Sequence, residues 1–160
     1  RMRHSDVVVD HSAGVEHYPG ESRVSVKPID GAMVCCGIYG VFEHTGIWVD
    51  GYIIELHGSG LVKAVSPQRF LNDRSGENIY MLCDKDLHPL VADGAAERAV
   101  SRIFTYIEYH PWGNNCHRFT FDVATGQKSA VCSFYDFNVA VNRYFHRRLY
   151  WQPVSIARSL

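Results

Sequence analysis

Two short segments, far apart in the chain, carry side chains that could do chemistry together: His44-Thr45-Gly46-Ile47-Trp48-Val49 and Asn115-Cys116-His117-Arg118-Phe119. The first has the pattern of a half-buried strand and begins on a histidine; the second opens a helix and carries a cysteine. A thiol in the first turn of a helix lies among unpaired backbone N–H groups at the positive end of the helix dipole. That setting stabilises the thiolate and lowers its pKa from about 8.5. The same N–H groups can receive the oxyanion of a tetrahedral intermediate. A base must still draw the proton, and His44 is the candidate. The pair points to acyl transfer through a cysteine nucleophile.

An imidazole acting as a base needs a partner that fixes its tautomer. Asp50-Gly51 is a strong hairpin dipeptide, so the strand starting at Tyr52 should run antiparallel beside that of His44. Ile53, Glu55 and His57 then share one face, and Glu55 is the first choice to accept the imidazole N–H, with His57 in reserve.

The elements that must position these groups follow from hydropathy patterning. Val24 to Asp84 reads as short apolar or alternating runs broken by turn residues, the signature of an antiparallel sheet of about five strands. The runs are Ala32 to Ile38, His44 to Val49, Tyr52 to Leu56, Leu61 to Val65 and Ile79 to Cys83, with Val24 to Lys27 a weaker sixth. A helical turn is expected near Pro67 to Leu71. Ala92 to about Tyr109 carries a one-sided apolar stripe and predicts a helix ended by Pro111 and Gly113. Asn115 suits the cap of a second helix from Cys116 to about Ala124, stopped by Gly126. Ala130 to Arg148 repeats apolar residues at helical spacing, interrupted by Asn138. The fold class is therefore α+β, an antiparallel sheet packed against helices.

With 160 residues the chain suits one domain, placed at residues 23–160, behind a polar arm over residues 1–22. Lys and Arg number 16 against 17 Asp and Glu, which lacks the positive field of a nucleic-acid binder. Five cysteines without paired spacing suggest neither a disulfide framework nor a zinc ribbon and fit a reducing, cytoplasmic compartment. Secretion without a recognisable signal remains the alternative. His4, His11 and His17 match no standard metal-site spacing, so neither a metal nor a cofactor is expected.

From about Lys27 to Gly126 the chain resembles the lecithin retinol acyltransferase-like branch of the NlpC/P60 superfamily of permuted papain-like thiol enzymes. His44, Gly46, Ile47 and Val49 match that branch's histidine strand, and Asp50-Gly51-Tyr52 its turn. Ile53-Ile54-Glu55-Leu56 matches the next strand, and Asn115-Cys116 with Phe119 the nucleophile segment. The family's usual second histidine aligns with Glu55; His117 and Arg118 stand where the family has an acidic residue and a histidine. The resemblance implies a permuted papain-like fold and a hydrolase or acyltransferase with a Cys116-His44-Glu55 triad acting on a lipid, small-molecule or peptide substrate.

Other readings compete. A cell-wall peptide amidase of the same superfamily predicts an open polar groove where a lipid acyltransferase predicts an apolar slot. A binding domain without catalysis is the other alternative. Cys35, Cys36, Cys83 and Cys132 read as inert packing residues, and His57, His110 and His117 as surface or supporting residues. The aromatic and basic stretch from Phe134 to Trp151 reads first as a helix covering the sheet, with a peripheral membrane contact or a dimer contact as the alternatives.

Overall fold

The computed structural model describes residues 13–37, 43–72, 78–108 and 115–155. Seven strands form one sheet in the order β1-β7-β6-β2-β3-β4-β5: β1 Val15–His17, β2 Met33–Cys36, β3 His44–Val49, β4 Tyr52–Leu56, β5 Val62–Val65, β6 Tyr80–Cys83 and β7 Leu149–Pro153. The β1–β7 pair is parallel and the other pairs are antiparallel. Four helices accompany the sheet: α1 Pro67–Leu71, α2 Ala95–Ser101, α3 Asn115–Thr125 and α4 Phe134–Phe145. The fold is α+β.

The expectation of about five antiparallel strands is corrected to a seven-stranded mixed sheet, which also departs from the antiparallel sheet of the permuted papain-like architecture. The two unexpected strands have physical reasons for their silence. β1 is three residues, Val-Glu-His, too short to show alternation, and it lies within the segment expected to be an arm. β7 directly follows α4, where its Leu, Tyr and Trp read as a continuation of the helical stripe. His146 breaks that continuity by adopting a left-handed φ of 55°. An Arg148–Glu16 ion pair joins the approaches to β1 and β7. Val24 to Lys27 contributes an isolated bridge, Val26 to Val154, rather than a strand.

The sheet has a core on each face. Ile47, Ile54 and Leu56 belong to the larger one, with Ala95, Ala99, Phe119, Val123, Phe134, Phe137 and Val141 from α2, α3 and α4. Val34, Cys36, Trp48 and Ile53 belong to the smaller one, with Phe70 of α1. α4 buries its apolar stripe in the larger core. Its polar interruption, Asn138, donates to the Phe134 carbonyl and accepts from the Trp151 indole, each at 3.0 Å.

The helix expected over Ala92 to Tyr109 is much shorter. α2 ends at Ser101, and the following segment turns to pair with the sheet edge. The Phe104 N–H donates to the Val62 carbonyl at 2.9 Å and the Ile107 N–H to the Gly60 carbonyl at 2.8 Å. Ile103 and Ile107 still pack on the core, while Val100 and Phe104 of the same stripe are exposed.

The β3–β4 hairpin aligns the residues that matter most. Asp50 and Gly51, at φ 51° and 79°, form the expected tight turn. The register pairs Ile47 with Ile54 and Trp48 with Ile53, which sets Gly46 opposite Glu55. A Cβ on Gly46 would lie 2.5 Å from Ile53 Cγ2 and 2.9 Å from the Ile54 carbonyl oxygen. Gly46→Ala should therefore destabilise the protein by about 1–3 kcal/mol, read as a lower urea midpoint at unchanged m-value; a wild-type midpoint would show that the hairpin has room to spare.

Candidate active site

β3 presents alternate side chains to its two faces, and the site uses both. His44, its first residue, lies on the side of Phe70, with ring centroids 5.3 Å apart. Its Nε2 is 3.0 Å from Glu55 Oε1. Glu55 is buried, so its carboxylate accepts the Nε2–H in a setting of low dielectric, and Nδ1 is the nitrogen left for a second partner. Of the two orienting candidates, Glu55 is the one brought to His44. His57 instead accepts the Ser59 N–H at its Nδ1, 3.1 Å away.

Thr45, next on β3, faces α3. Its hydroxyl donates to the Cys116 carbonyl at 3.2 Å and lies 2.9 Å from His117 Nδ1. A hydroxyl has one proton to give and a carbonyl can only accept, so the Thr45 proton goes to Cys116 and His117 Nδ1–H donates to Thr45. His117 is fully buried against Phe134 and Phe137. Its Nε2 has no hydrogen-bond partner among the described residues. Of the two expectations for His117, surface or supporting residue, the surface one is corrected: it is buried among the surroundings of the thiol. Strict alternation along β3 could have placed Thr45 against the helix, but no pattern in the sequence marks His117 as buried.

Cys116 stands second in α3, where backbone N–H groups lack intrahelical partners. Asn115, expected as the cap, is the first residue of the helix itself. The thiol is only 8 % exposed. Burial pushes its pKa up, but the neighbouring His117 and His44 imidazoles outweigh that and hold it at about 5. Cys35, Cys83 and Cys132 go the opposite way. Burial raises Cys35 well above its ordinary value and pushes Cys83 up to about 12. Cys132 is exposed rather than packed, and its hydrogen bond to Asp136 Oδ2, 3.0 Å away, raises it.

A groove of about 770 Å³ has Leu56, Phe119 and Val123 in its wall and Arg98, Arg102, Arg118 and Lys128 around it. Phe119 is one helical turn beyond Cys116 on α3, but Cys116, His44 and Glu55 are not among the residues that line the groove. His17 is in β1, with its ring edge-on to Tyr150 at 5.0 Å. His4, His11 and His110 lie outside the described residues.

Comparison with models of known protein families and with characterised proteins finds no match to this chain.

The thiolate fraction of Cys116 should govern its alkylation. For a group with a depressed pKa the charged form persists down to that pKa, so the iodoacetamide rate should stay on its plateau from neutral pH until it falls through about pH 5. Replacing His117 by Leu, an apolar residue for an apolar surrounding, should move that fall to higher pH. A wild-type midpoint near 8.5 would contradict the electrostatic reading.

Proposed function

We propose that the protein is a cysteine-dependent hydrolase or acyltransferase that forms an acyl-thioester on Cys116. One observation carries this reading: the His44 imidazole is bonded to the buried Glu55 carboxylate at 3.0 Å and also hydrogen-bonds to a thiol held at about pKa 5. The likeness of these same segments to lecithin retinol acyltransferase-like thiol enzymes supports it. In the first step the Cys116 proton passes to His44 Nδ1 and the sulfur attacks the carbonyl carbon of an ester, amide or thioester. The Cys116 N–H, at the start of α3, helps hold the oxyanion. Collapse of the tetrahedral intermediate breaks the bond to the leaving group, which takes the proton from His44 and leaves the acyl-thioester. Water or another acceptor then gives a proton to His44, attacks the thioester and restores the thiol.

Incubation with ester, thioester and amide donors should add the acyl mass to Cys116 in intact-mass spectra, and Cys116→Ala should show neither adduct nor turnover. His44→Ala should lower turnover about 100- to 10,000-fold, and Glu55→Gln should lower it less. Turnover retained by Cys116→Ala would remove the proposal. Greater loss in Glu55→Gln than in His44→Ala would reassign the base.

A further inference from the structure

The segment that leaves α2 holds two aromatic rings in solvent. Phe104 is 81 % and Tyr106 74 % exposed, and Val100, on the helix just before them, is 50 % exposed. Their backbone is tied down: besides the bonds of Phe104 and Ile107 to the β5 side, the Val62 N–H donates to the Thr105 carbonyl at 3.0 Å. Phe104 adopts a φ of 69°, a left-handed conformation that a bulky residue enters at a cost. Phe104 and Tyr106 stand in solvent while Ile103 and Ile107 on either side of them pack against the core.

The same loop borders the groove through Arg102 and Ile107. Arg98, Arg102, Arg118 and Lys128 line that groove against Glu108 and Asp122, four cations to two carboxylates, on a chain whose net charge is −1. Part of Arg98 and Arg118 is used internally, Arg98 Nε on the Val123 carbonyl at 2.8 Å and Arg118 Nε on the Val131 carbonyl at 2.9 Å, which fixes where their remaining donors stand.

We propose that this face docks on a bilayer bearing anionic lipid, with Phe104 and Tyr106 entering the headgroup region and the cations around the groove meeting phosphates. Projecting aromatic rings beside basic side chains match the chemistry of that interface. A protein partner fits less well. Two rings and a valine are a small anchor set beside the roughly 800 Å² per partner of a stable interface. The chain entering β5 is already paired from Gly60 to Val62 by residues 104–107, so an added peptide strand finds that stretch of the edge taken. Docking here requires nothing of the thiol.

The test is flotation of the full chain with phosphatidylcholine vesicles, with and without phosphatidylserine, at low and high salt. The wild type should bind the anionic vesicles about tenfold more tightly than the neutral ones and lose that preference at high salt. Phe104→Asn with Tyr106→Ser, which keeps a residue tolerant of left-handed φ at position 104, should weaken binding about tenfold. Arg102→Glu with Lys128→Glu should abolish the anionic preference, both pairs keeping wild-type circular dichroism. Cys116→Ala should bind as wild type, so a failure of the thiol chemistry leaves this result standing. The proposal is overturned if the wild type does not float with anionic vesicles, if the folded ring variant binds undiminished, or if sedimentation shows that the rings instead join two copies and no vesicle is bound.

Discussion

The hydrogen bond from the Thr45 hydroxyl to the Cys116 carbonyl, 3.2 Å long, fixes the start of α3 against the second position of β3. Its own net worth is about 0.5–1.5 kcal/mol, but its geometric consequence is larger. The thiol is brought to a helix start, to the imidazole at the first position of β3, and to the imidazole next to it in the chain. The remainder of the sheet can be understood as support for that junction. β4 supplies Glu55 from one side, and β2 holds the other edge of β3 in a register that pairs Cys36 with His44. The larger core presses α3 onto the strands.

Electrostatics at the junction is a contest between burial and neighbours, and the five cysteines show how it is decided. Burial alone makes a thiol harder to ionise, as at Cys35 and Cys83. A carboxylate in contact with it does the same even in solvent, as at Cys132. Cys116 is buried too, yet its thiolate is favoured, because two imidazoles act on it in a medium that weakens their fields less than water would. Burial therefore acts twice: it penalises the charge and strengthens the interactions that repay it.

Much of this was legible in the sequence where local pattern and tertiary role agree. His44–Val49, Tyr52–Leu56 and Pro67–Leu71 have the bounds their patterns predict, since a hairpin dipeptide or an early proline sets them by local sterics. Glu55 was legible for the same reason: a tight turn fixes register, and register fixes which side chains share a face. What was hidden depends on partners distant in the chain. β1 exists because β7 is beside it, and residues 104–107 leave the helix because the carbonyls of Gly60 and Val62 offer their N–H groups a sheet edge. His117 follows Cys116 with a side chain that composition alone would leave in water; only the packing of α4 encloses it.

His117 also shows what the arrangement costs. Its Nδ1 must donate to Thr45, because the hydroxyl's one proton is committed to the Cys116 carbonyl, so in the neutral ring Nε2 is a bare acceptor. That atom is buried with no partner among the described residues, a state that costs about 1–3 kcal/mol when nothing offsets it. A leucine would fill the same space between Phe134 and Phe137 without that cost. A histidine there lowers stability, and what it returns is an imidazole beside a sulfur that burial would otherwise keep protonated. Structural economy does not explain the choice of residue; the ionisation of Cys116 does.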